Sequence, residues 1–416
     1  MRPAGFSPLG KTVADPNVTK RTFRLELTRA LMAGGIIEAF STTFLLYFLI
    51  KVYDANDTLK SAVMSSQRGG LLLGFLVVAF AHRWHQAPSR VASITFFTAA
   101  IALAVASSTE TVTIFAISIA IASCMWSWTP PLVTQFYRAN YPSDRRGRLF
   151  SLVAIVRGLS AVVIGYAIGR WLEHAAQTGQ DLRLALWLAP AAFLMTAVFL
   201  WCIPIHPQLK SMGRIPRQSY WAAFHWLGRD KRFALAIVAW MFVGIGMLMS
   251  GVLLVEYLAN PRYGLAYDSG TISLISIGIP TTIQLATTYV WASWFDKVRF
   301  FRLRLVLNAV GAIAVLVIYL SPHIGGLYLG AALLGLFRGG GNIAWNLWVT
   351  KLAPEDHVGE YMSVHTFFTG IRGILTPWLG YYLLREHGVS AFAWVCFGFV
   401  MLSSITVIPL LRDEKR

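Results

Sequence analysis

The sequence carries little charge for its length. Only 13% of the 416 residues are Asp, Glu, Lys or Arg, whereas 56% are hydrophobic and the mean hydropathy is +0.58. Soluble domains contain roughly 25% charged and 45–50% apolar residues. The composition therefore excludes a soluble globular protein, a disordered protein and a nucleic-acid-binding domain.

Acidic residues are the scarcest charges. The chain has 19 of them against 36 Lys and Arg, which gives a formal net charge of +17. In a soluble protein this excess would indicate a polyanionic partner. In a membrane protein it is expected from basic cytoplasmic loops, so the position of the charges decides between the two interpretations.

Cysteine and the usual catalytic motifs are also scarce. Cys124, Cys202 and Cys396 stand far apart inside apolar runs, which excludes a disulfide framework or a zinc site and predicts neither metal nor cofactor. His-Glu-x-x-His, Gly-x-Ser-x-Gly and the Walker A pattern are all missing from the sequence. These absences argue against an enzyme or an ATP-driven pump.

Long apolar runs, in contrast, occupy most of the chain. Each is about 17 to 27 residues long, the length that a helix needs to cross about 30 Å of hydrocarbon. They predict an all-α polytopic membrane protein with twelve transmembrane helices. The predicted spans are 27–50, 61–81, 91–108, 112–137, 149–169, 184–204, 234–257, 271–295, 305–321, 325–350, 361–384 and 390–411.

The basic residues between these spans lie mainly on one side of the membrane. That side includes both termini and the loop 205–233, so the positive-inside rule predicts cytoplasmic termini and explains the net charge without nucleic acid. The tail also lacks an early apolar segment of the kind found in a cleavable signal peptide. The opposite side holds only Lys51, Lys60, Arg170, Arg183, Arg262 and Arg385.

The two halves of the chain repeat each other. The basic, proline-containing loop 205–233 predicts a division into an N-terminal six-helix bundle (1–204) and a C-terminal one (234–416). Because six is even, both copies enter the membrane in the same orientation, which indicates a pseudo-twofold axis along the membrane normal. Identical residues recur in the two halves at constant spacing. In the first half they are Pro142, Asp144, Gly147, Ser151, Arg157-Gly158 and Gly165-Tyr166. Their counterparts in the second half are Pro354, Asp356, Gly359, Ser363, Arg372-Gly373 and Gly380-Tyr381.

This architecture resembles the major facilitator superfamily over essentially the whole chain. The loop after the eighth span is similar to the family's Gly-x-x-x-Asp-Arg signature, with Ala292 and Asp296-Lys297 followed by three arginines. The loop after the second span has a degraded copy at His82-Arg83, and the loop 141–148 is similar to the family's connection between spans four and five. The glycines of the signature are absent, and so is the Gly-Pro pair typical of antiporters, which leaves symport or antiport and transport direction open.

The resemblance implies transport by alternating access of two bundles around a site near the midplane. Spans one, four, seven and ten would line the site, with contributions from spans two, five, eight and eleven. Gating contacts would come from the loop residues Asp144, Arg148, Asp296 and Lys297.

Charges inside the spans are the main candidates for function. Glu38 is the only acidic residue placed in a span, and Arg68, Arg157, Arg338 and Arg372 are the central arginines. A charge at the bilayer centre costs roughly 2.5–3.5 kcal/mol on insertion scales. The sequence predicts that an anion from solution supplies part of the missing negative charge.

Arg338 has the most suggestive surroundings. Asn342 and Trp345 follow at i+4 and i+7 and therefore share its helix face. The alternative is an arginine that binds backbone carbonyls around Gly339–Gly341. The hypothesis places an anionic solute between Arg338 and Arg372.

Other polar and aromatic residues are weaker candidates, each with a structural alternative. Arg157 and Arg372 occupy equivalent places and could be a duplicated structural feature, and Glu38 could carry a coupling proton or pair with an arginine. The remaining substrate-binding candidates are Arg68, Trp126 and His365.

Together these patterns predict a secondary active transporter of a small, anionic organic solute with proton coupling. Two alternatives stay open, an exporter of amphipathic compounds and a non-transporting sensor or scaffold on the same fold. The predicted partners are the solute, the lipid bilayer and H⁺ or another coupling ion. The predicted setting is a monomer in a bacterial inner membrane.

Overall fold

The computed structural model describes residues 15–83, 86–142, 145–205, 224–354 and 358–413. Within these ranges, twelve helical segments of membrane-crossing length follow one another, as the sequence predicts. In the first half they are α1 Pro16–Lys51, α2 Asp57–Arg83, α3 Pro88–Ser108, α4 Val112–Ser127 continued as Thr129–Asn140, α5 Arg146–Thr178 and α6 Leu182–Cys202. In the second half they are α7 Lys231–Ala259, α8 Ser269–Ser273 continued after a π-helical turn as Ile279–Lys297, α9 Phe300–Leu320, α10 Ile324–Leu347, and α11 and α12, which share the stretch Val358–Asp413.

Local chemistry sets the helix boundaries. The Asp230 carboxylate accepts hydrogen bonds from the first amides of α7, and Asp268 does the same at Thr271 in α8, which satisfies amides that have no partner within the helix. Gly388 has φ 78°, a conformation that favours glycine, and it divides α11 from α12. Eight helical stretches in the described part of the chain are long and apolar enough to cross a membrane, and one of them contains both α11 and α12.

Helix packing follows the internal repeat. Within the first half α1 packs on α5, α2 on α4 and α3 on α6, and the second half repeats these contacts as α7 on α11, α8 on α10 and α9 on the α11–α12 stretch. The halves meet where α2 contacts α11 and where α5 contacts α8. A pseudo-twofold axis exchanges these two contacts, as expected for parallel repeats.

Two expectations about buried charge are wrong. Glu38 is not the only acidic residue within a helix, because Glu26 in α1 and Glu256 in α7 are each 0% exposed. Arg304, counted with the loop 297–304, is likewise buried inside α9. Glu256 already falls within the predicted span 234–257. The helices α1 and α9 start at Pro16 and Phe300, before the predicted residues 27 and 305, which brings Glu26 and Arg304 into the bundle.

The division at the loop 205–233 stays a prediction. Residues 206–223 lie outside the described ranges, and a short helix, His225–Arg229, precedes α7. α7 itself begins at Lys231, three residues before the predicted start of the C-terminal bundle.

The contact between α1 and α5 depends on a glycine. A Cβ at Gly35 would lie 2.6 Å from the Ser160 carbonyl carbon and 2.8 Å from the amide nitrogen of Ala161. The Ser160 hydroxyl donates a 2.8 Å hydrogen bond to the Leu31 carbonyl, within the π-helical turn Ala30–Gly34 of α1. Small residues that let backbones approach closely are typical of helix contacts in membranes.

We therefore expect Gly35→Ala to lower the Tm by several degrees. The added methyl must displace backbone atoms of α5, and overpacking of this kind costs about 1–3 kcal/mol. Gly251→Ala in α7 is the matched control, because nothing lies within 4 Å of a Cβ at that position and alanine favours the helix by about 1 kcal/mol. Equal Tm values for the two variants in a detergent thermal-unfolding assay would contradict the close contact.

Candidate functional site

Glu38 lies in α1 between two irregular turns. The helix has π-helical turns at Ala30–Gly34 and Phe40–Phe44, with Glu38 on the short α-helical stretch between them. π-Helical turns inside α-helices occur frequently at functional sites. The Glu38 side chain is half-buried and makes no ion pair with a described residue.

Two arginines from other helices lie within electrostatic range of this carboxylate. Glu38 interacts electrostatically with Arg68 of α2 and with Arg338 of α10, and the two arginines also repel each other. α1 and α2 belong to the first bundle and α10 to the second. The structure thus brings three of the predicted site residues together across the interface between the bundles.

Arg68 lies at the contact between α2 and α11. Its side-chain stem packs against Gly373, where a Cβ would overlap it. The nearby Ser65 hydroxyl donates a 2.7 Å hydrogen bond to the Ile374 carbonyl. Nevertheless the Arg68 side chain is exposed. From this exposed arginine at an internal contact we infer that solvent enters a cavity between the bundles.

Arg372 makes its hydrogen bonds within the C-terminal bundle. It donates from Nη1 to the Trp240 carbonyl and from Nη2 to the Thr369 hydroxyl at 3.1 Å. The guanidinium rests on Gly244 of α7, where any Cβ would collide with it. Arg372 is 5% exposed. The geometry resembles the carbonyl-bound alternative that the sequence leaves open for Arg338.

His365 and Trp345 belong to an aromatic cluster of the same bundle. The His365 ring centroid lies 5.0 Å from that of Trp240, 5.6 Å from Trp345 and 5.3 Å from Trp348. His365 is 1% exposed, whereas Trp345 is half-buried. Of the two predicted residues, Trp345 is the one that keeps a surface for a solute.

The other predicted side chains differ in their access to solvent. Asn342 is exposed and accepts a hydrogen bond from Asn346 one turn later. Arg157 is exposed and lies along α1, with its Cγ 3.0 Å from the place of a Cβ on Gly34. Trp126 packs against Phe193 of α6 at 6.5 Å between ring centroids, so it faces the interior of the first bundle.

The predicted gating residues are placed only in part. Asp144 lies outside the described residues, and Asp296 belongs to the last turns of α8. Arg148 and Lys297 are exposed at the ends of α5 and α8. The gating role of these four residues stays a prediction.

A buried ion pair that the sequence analysis missed joins the two bundles. The Lys60 Nζ atom lies 2.8 Å from both Glu256 carboxylate oxygens and 3.0 Å from Asp57 Oδ1. Asn260 and Tyr381 also donate to Glu256, at 2.7 Å and 3.2 Å. Opposite charges at the ends of two spans were visible in the sequence, but their pairing across 196 positions was not.

The ion pair is part of a seal on one face of the molecule. We call the face with both chain termini the terminal side and the opposite face the far side. Thr43 and Ser276 hydroxyls bond at 2.7 Å, and Ser269 donates to the Gly169 carbonyl at 2.6 Å. These contacts join α1 and α5 to α8 in the far half of the helices. Because the far side is closed here, the exposed cavity at Arg68 opens toward the terminal side.

Comparison with known proteins agrees with this architecture. Residues 265–416 match the family model "Major Facilitator Superfamily". No curated protein matches the chain by sequence.

Among solved structures, the fold resembles a nucleoside transporter, NupG, and a D-xylose-proton symporter. One NupG structure superposes with a TM-score of 0.74 at 15% identity, covering 95% of this chain and 99% of that one. The symporter superposes with a TM-score of 0.63 at 17% identity, covering 94% and 96%. The family match thus covers residues 265–416, and the likeness to these structures shows the same fold over about 95% of the chain.

Proposed function

We propose that the protein is a secondary active transporter that moves a small anionic organic solute together with a proton. The proposal is carried by one observation, that Arg68 and Arg338 come from opposite bundles and both lie within electrostatic range of the Glu38 carboxylate. Two guanidinium groups and one carboxylate leave a net positive charge there. An anion from the terminal side would complete the balance.

The chemistry of the arginines favours an acidic group on the solute. A guanidinium offers planar pairs of N–H donors that match carboxylate or phosphate oxygens. The exposed Asn342 amide and the half-buried Trp345 ring lie on the same helix face as Arg338. They would bind the polar and flat parts of an organic solute. Arg372 and His365, which are buried in the C-terminal bundle, have no role in direct contact in this proposal.

Proton coupling follows from the same charge balance. In the empty cavity the Glu38 carboxylate partly neutralises the two arginines. If the solute's acidic group takes its place, a carboxylate left in the cavity would face a second anion. A proton on Glu38 removes that repulsion and keeps the charge of the cavity constant. Symport of one proton with each negative charge is therefore the transport cycle with the lowest electrostatic free-energy cost.

Alternating access would use the far-side seal as a gate. In this proposal the terminal side, which carries the basic loops, is cytoplasmic by the positive-inside rule, and the far-side-closed conformation is the inward-open one. Opening the far side requires Lys60 to separate from Glu256. That a D-xylose-proton symporter shares the fold supports a rocking, proton-driven cycle, whereas the solute class rests on the arginines alone.

Replacing Arg338 with lysine tests the anionic solute. Arg338→Lys keeps the charge but loses the paired donors, and we expect affinity for the solute to fall about tenfold or more, since charged hydrogen bonds contribute about 1.5–3 kcal/mol. Thermal-shift screening of carboxylates, phosphates, sugars, nucleosides and lipophilic cations would first identify ligands. Arg302→Lys, on an exposed position of α9, is the control. A preference for neutral or cationic ligands, with unchanged binding in Arg338→Lys, would refute the proposal.

Replacing Glu38 with glutamine tests the coupling. Glu38→Gln mimics the protonated carboxyl group, so we expect proton-driven accumulation in proteoliposomes to vanish while solute exchange across the membrane persists. Glu110→Gln, at an exposed far-side carboxylate paired with Arg183, should retain both activities. Normal accumulation in Glu38→Gln would assign this residue to structure. Absence of any solute flux in the unmodified protein would favour a sensor or scaffold.

Breaking the far-side pair tests the gate. Lys60→Met leaves Glu256 buried without its cation, a change that costs about 3–5 kcal/mol in other proteins, so the far-side-open state should become more populated. The readout is the labelling of Ser273→Cys by an impermeant maleimide added outside cells, in a background without the three native cysteines. Ser273 is 1% exposed at the contact between α5 and α8.

We expect labelling to accelerate at least tenfold in Lys60→Met and to stay unchanged in Arg183→Gln. The Arg183 side chain forms only surface ion pairs on the same side. Equal labelling rates in both variants would mean that the pair does not hold the bundles closed.

A further inference from the structure

Two arginines are buried inside the C-terminal bundle, and one of them, Arg372, is within electrostatic range of Arg68 at the bundle interface. Arg304 of α9 is 3% exposed and Arg372 of α11 is 5% exposed. Both contact Trp240 of α7, because the Arg304 Cζ atom lies 3.9 Å from the indole centroid and Arg372 donates to the Trp240 carbonyl. The two guanidinium groups are close enough to repel each other.

Neither arginine has an acidic partner among the described residues, and their donors are incompletely used. The buried atoms Arg304 Nη2 and Arg372 Nε have no hydrogen-bond partner. The Trp348 indole N–H in the same cluster also has none, although the residue is 0% exposed. Nearly all buried donors in proteins are paired, so three unpaired donors in one cluster require an explanation.

Protein groups already present offset only part of the cost. A desolvated cation is attracted to the face of an indole ring, and the Trp240 carbonyl neutralises part of one charge. The cost of removing two cations from water nevertheless exceeds these contributions, and their mutual repulsion adds to it. The same low dielectric would strengthen attraction to any anion between them.

We propose that this cluster is a chloride-binding site, built inside the C-terminal bundle and separate from the cavity at Glu38. The unpaired groups of both arginines and of Trp348 are N–H donors, which suit an anion. The site is surrounded by the large rings of Trp240, Trp348 and His365, each less than one-tenth exposed. A monatomic anion needs less volume than an organic acid. It also has no hydrogen-bond donor, so the site does not have to supply an acceptor.

Bound chloride would link three helices. Arg304, Arg372 and Trp240 belong to α9, α11 and α7, and the next turn of α9 is tied to α12 by Asn308, which donates to the hydroxyls of Ser403 and Ser404. The ion would hold the terminal half of the bundle together while the bundles move against each other. This role does not depend on the identity of the transported solute.

The test is the thermal stability of the purified full chain as chloride replaces gluconate at constant ionic strength. We expect the Tm to rise with the logarithm of chloride concentration, since a ligand of the folded state stabilises by mass action. Arg304→Gln should abolish this dependence. Arg302→Gln, two residues earlier on α9 and exposed, should retain it, and so should Arg338→Lys in the cavity.

Three results would overturn the proposal. The first is an equal Tm in chloride and gluconate, and the second is a chloride dependence that survives in Arg304→Gln. The third is a dependence lost in Arg338→Lys, which would move the ion to the central cavity. If Arg304→Gln does not fold, crystals of the unmodified protein grown in bromide decide. An anomalous peak in contact with Arg304 Nη2 is expected, and its absence at saturating bromide would refute the site.

Discussion

The structure depends on how a few carboxylates are distributed among many buried cations. Each of the buried carboxylates Glu26 and Glu256 has its own basic partner, Arg29 at 2.8 Å and Lys60 at 2.8 Å. The Glu38 carboxylate interacts with two arginines, whereas the buried Arg304 and Arg372 have no acidic partner among the described residues. An uncompensated charge in a low dielectric is costly. The carboxylates at fixed helix contacts therefore have their own basic partners, whereas the arginines without a carboxylate of their own lie where an anion could bind.

This distribution separates the gate from the cavity. The Glu256 carboxylate receives hydrogen bonds from Lys60, Asn260 and Tyr381, so little remains unsatisfied and the closed far side is well defined. A gate must also open, and a buried pair favours opening only if its groups regain water when they separate. Their position at the far ends of the helices, next to solvent-facing loops, meets this condition, whereas a pair at mid-membrane would not.

Hydropathy predicted the fold because each span must satisfy its backbone within a helix, a constraint visible along the sequence. Periodicity also predicted that Arg338 and Asn342 share a helix face, on which Asn342 is exposed and Arg338 half-buried. It could not show which neighbour each face meets, and so Arg372 and His365, which also share a face, were expected in the cavity but point into their own bundle. Arg304 was missed because its helix starts at Phe300, inside a basic stretch that resembles a loop.

The internal repeat explains how the helices pack but not which contacts the equivalent arginines make. Arg157 and Arg372 occupy equivalent positions at an offset of 215, yet Arg157 is exposed along α1 while Arg372 is fixed against Gly244 and the Trp240 carbonyl. An arginine bonded to its own bundle moves with that bundle and keeps its partners throughout a rocking motion. An exposed arginine can exchange partners as the opposite bundle approaches. Duplication therefore supplies two equivalent positions, and only the first remains available to a solute or to the moving interface.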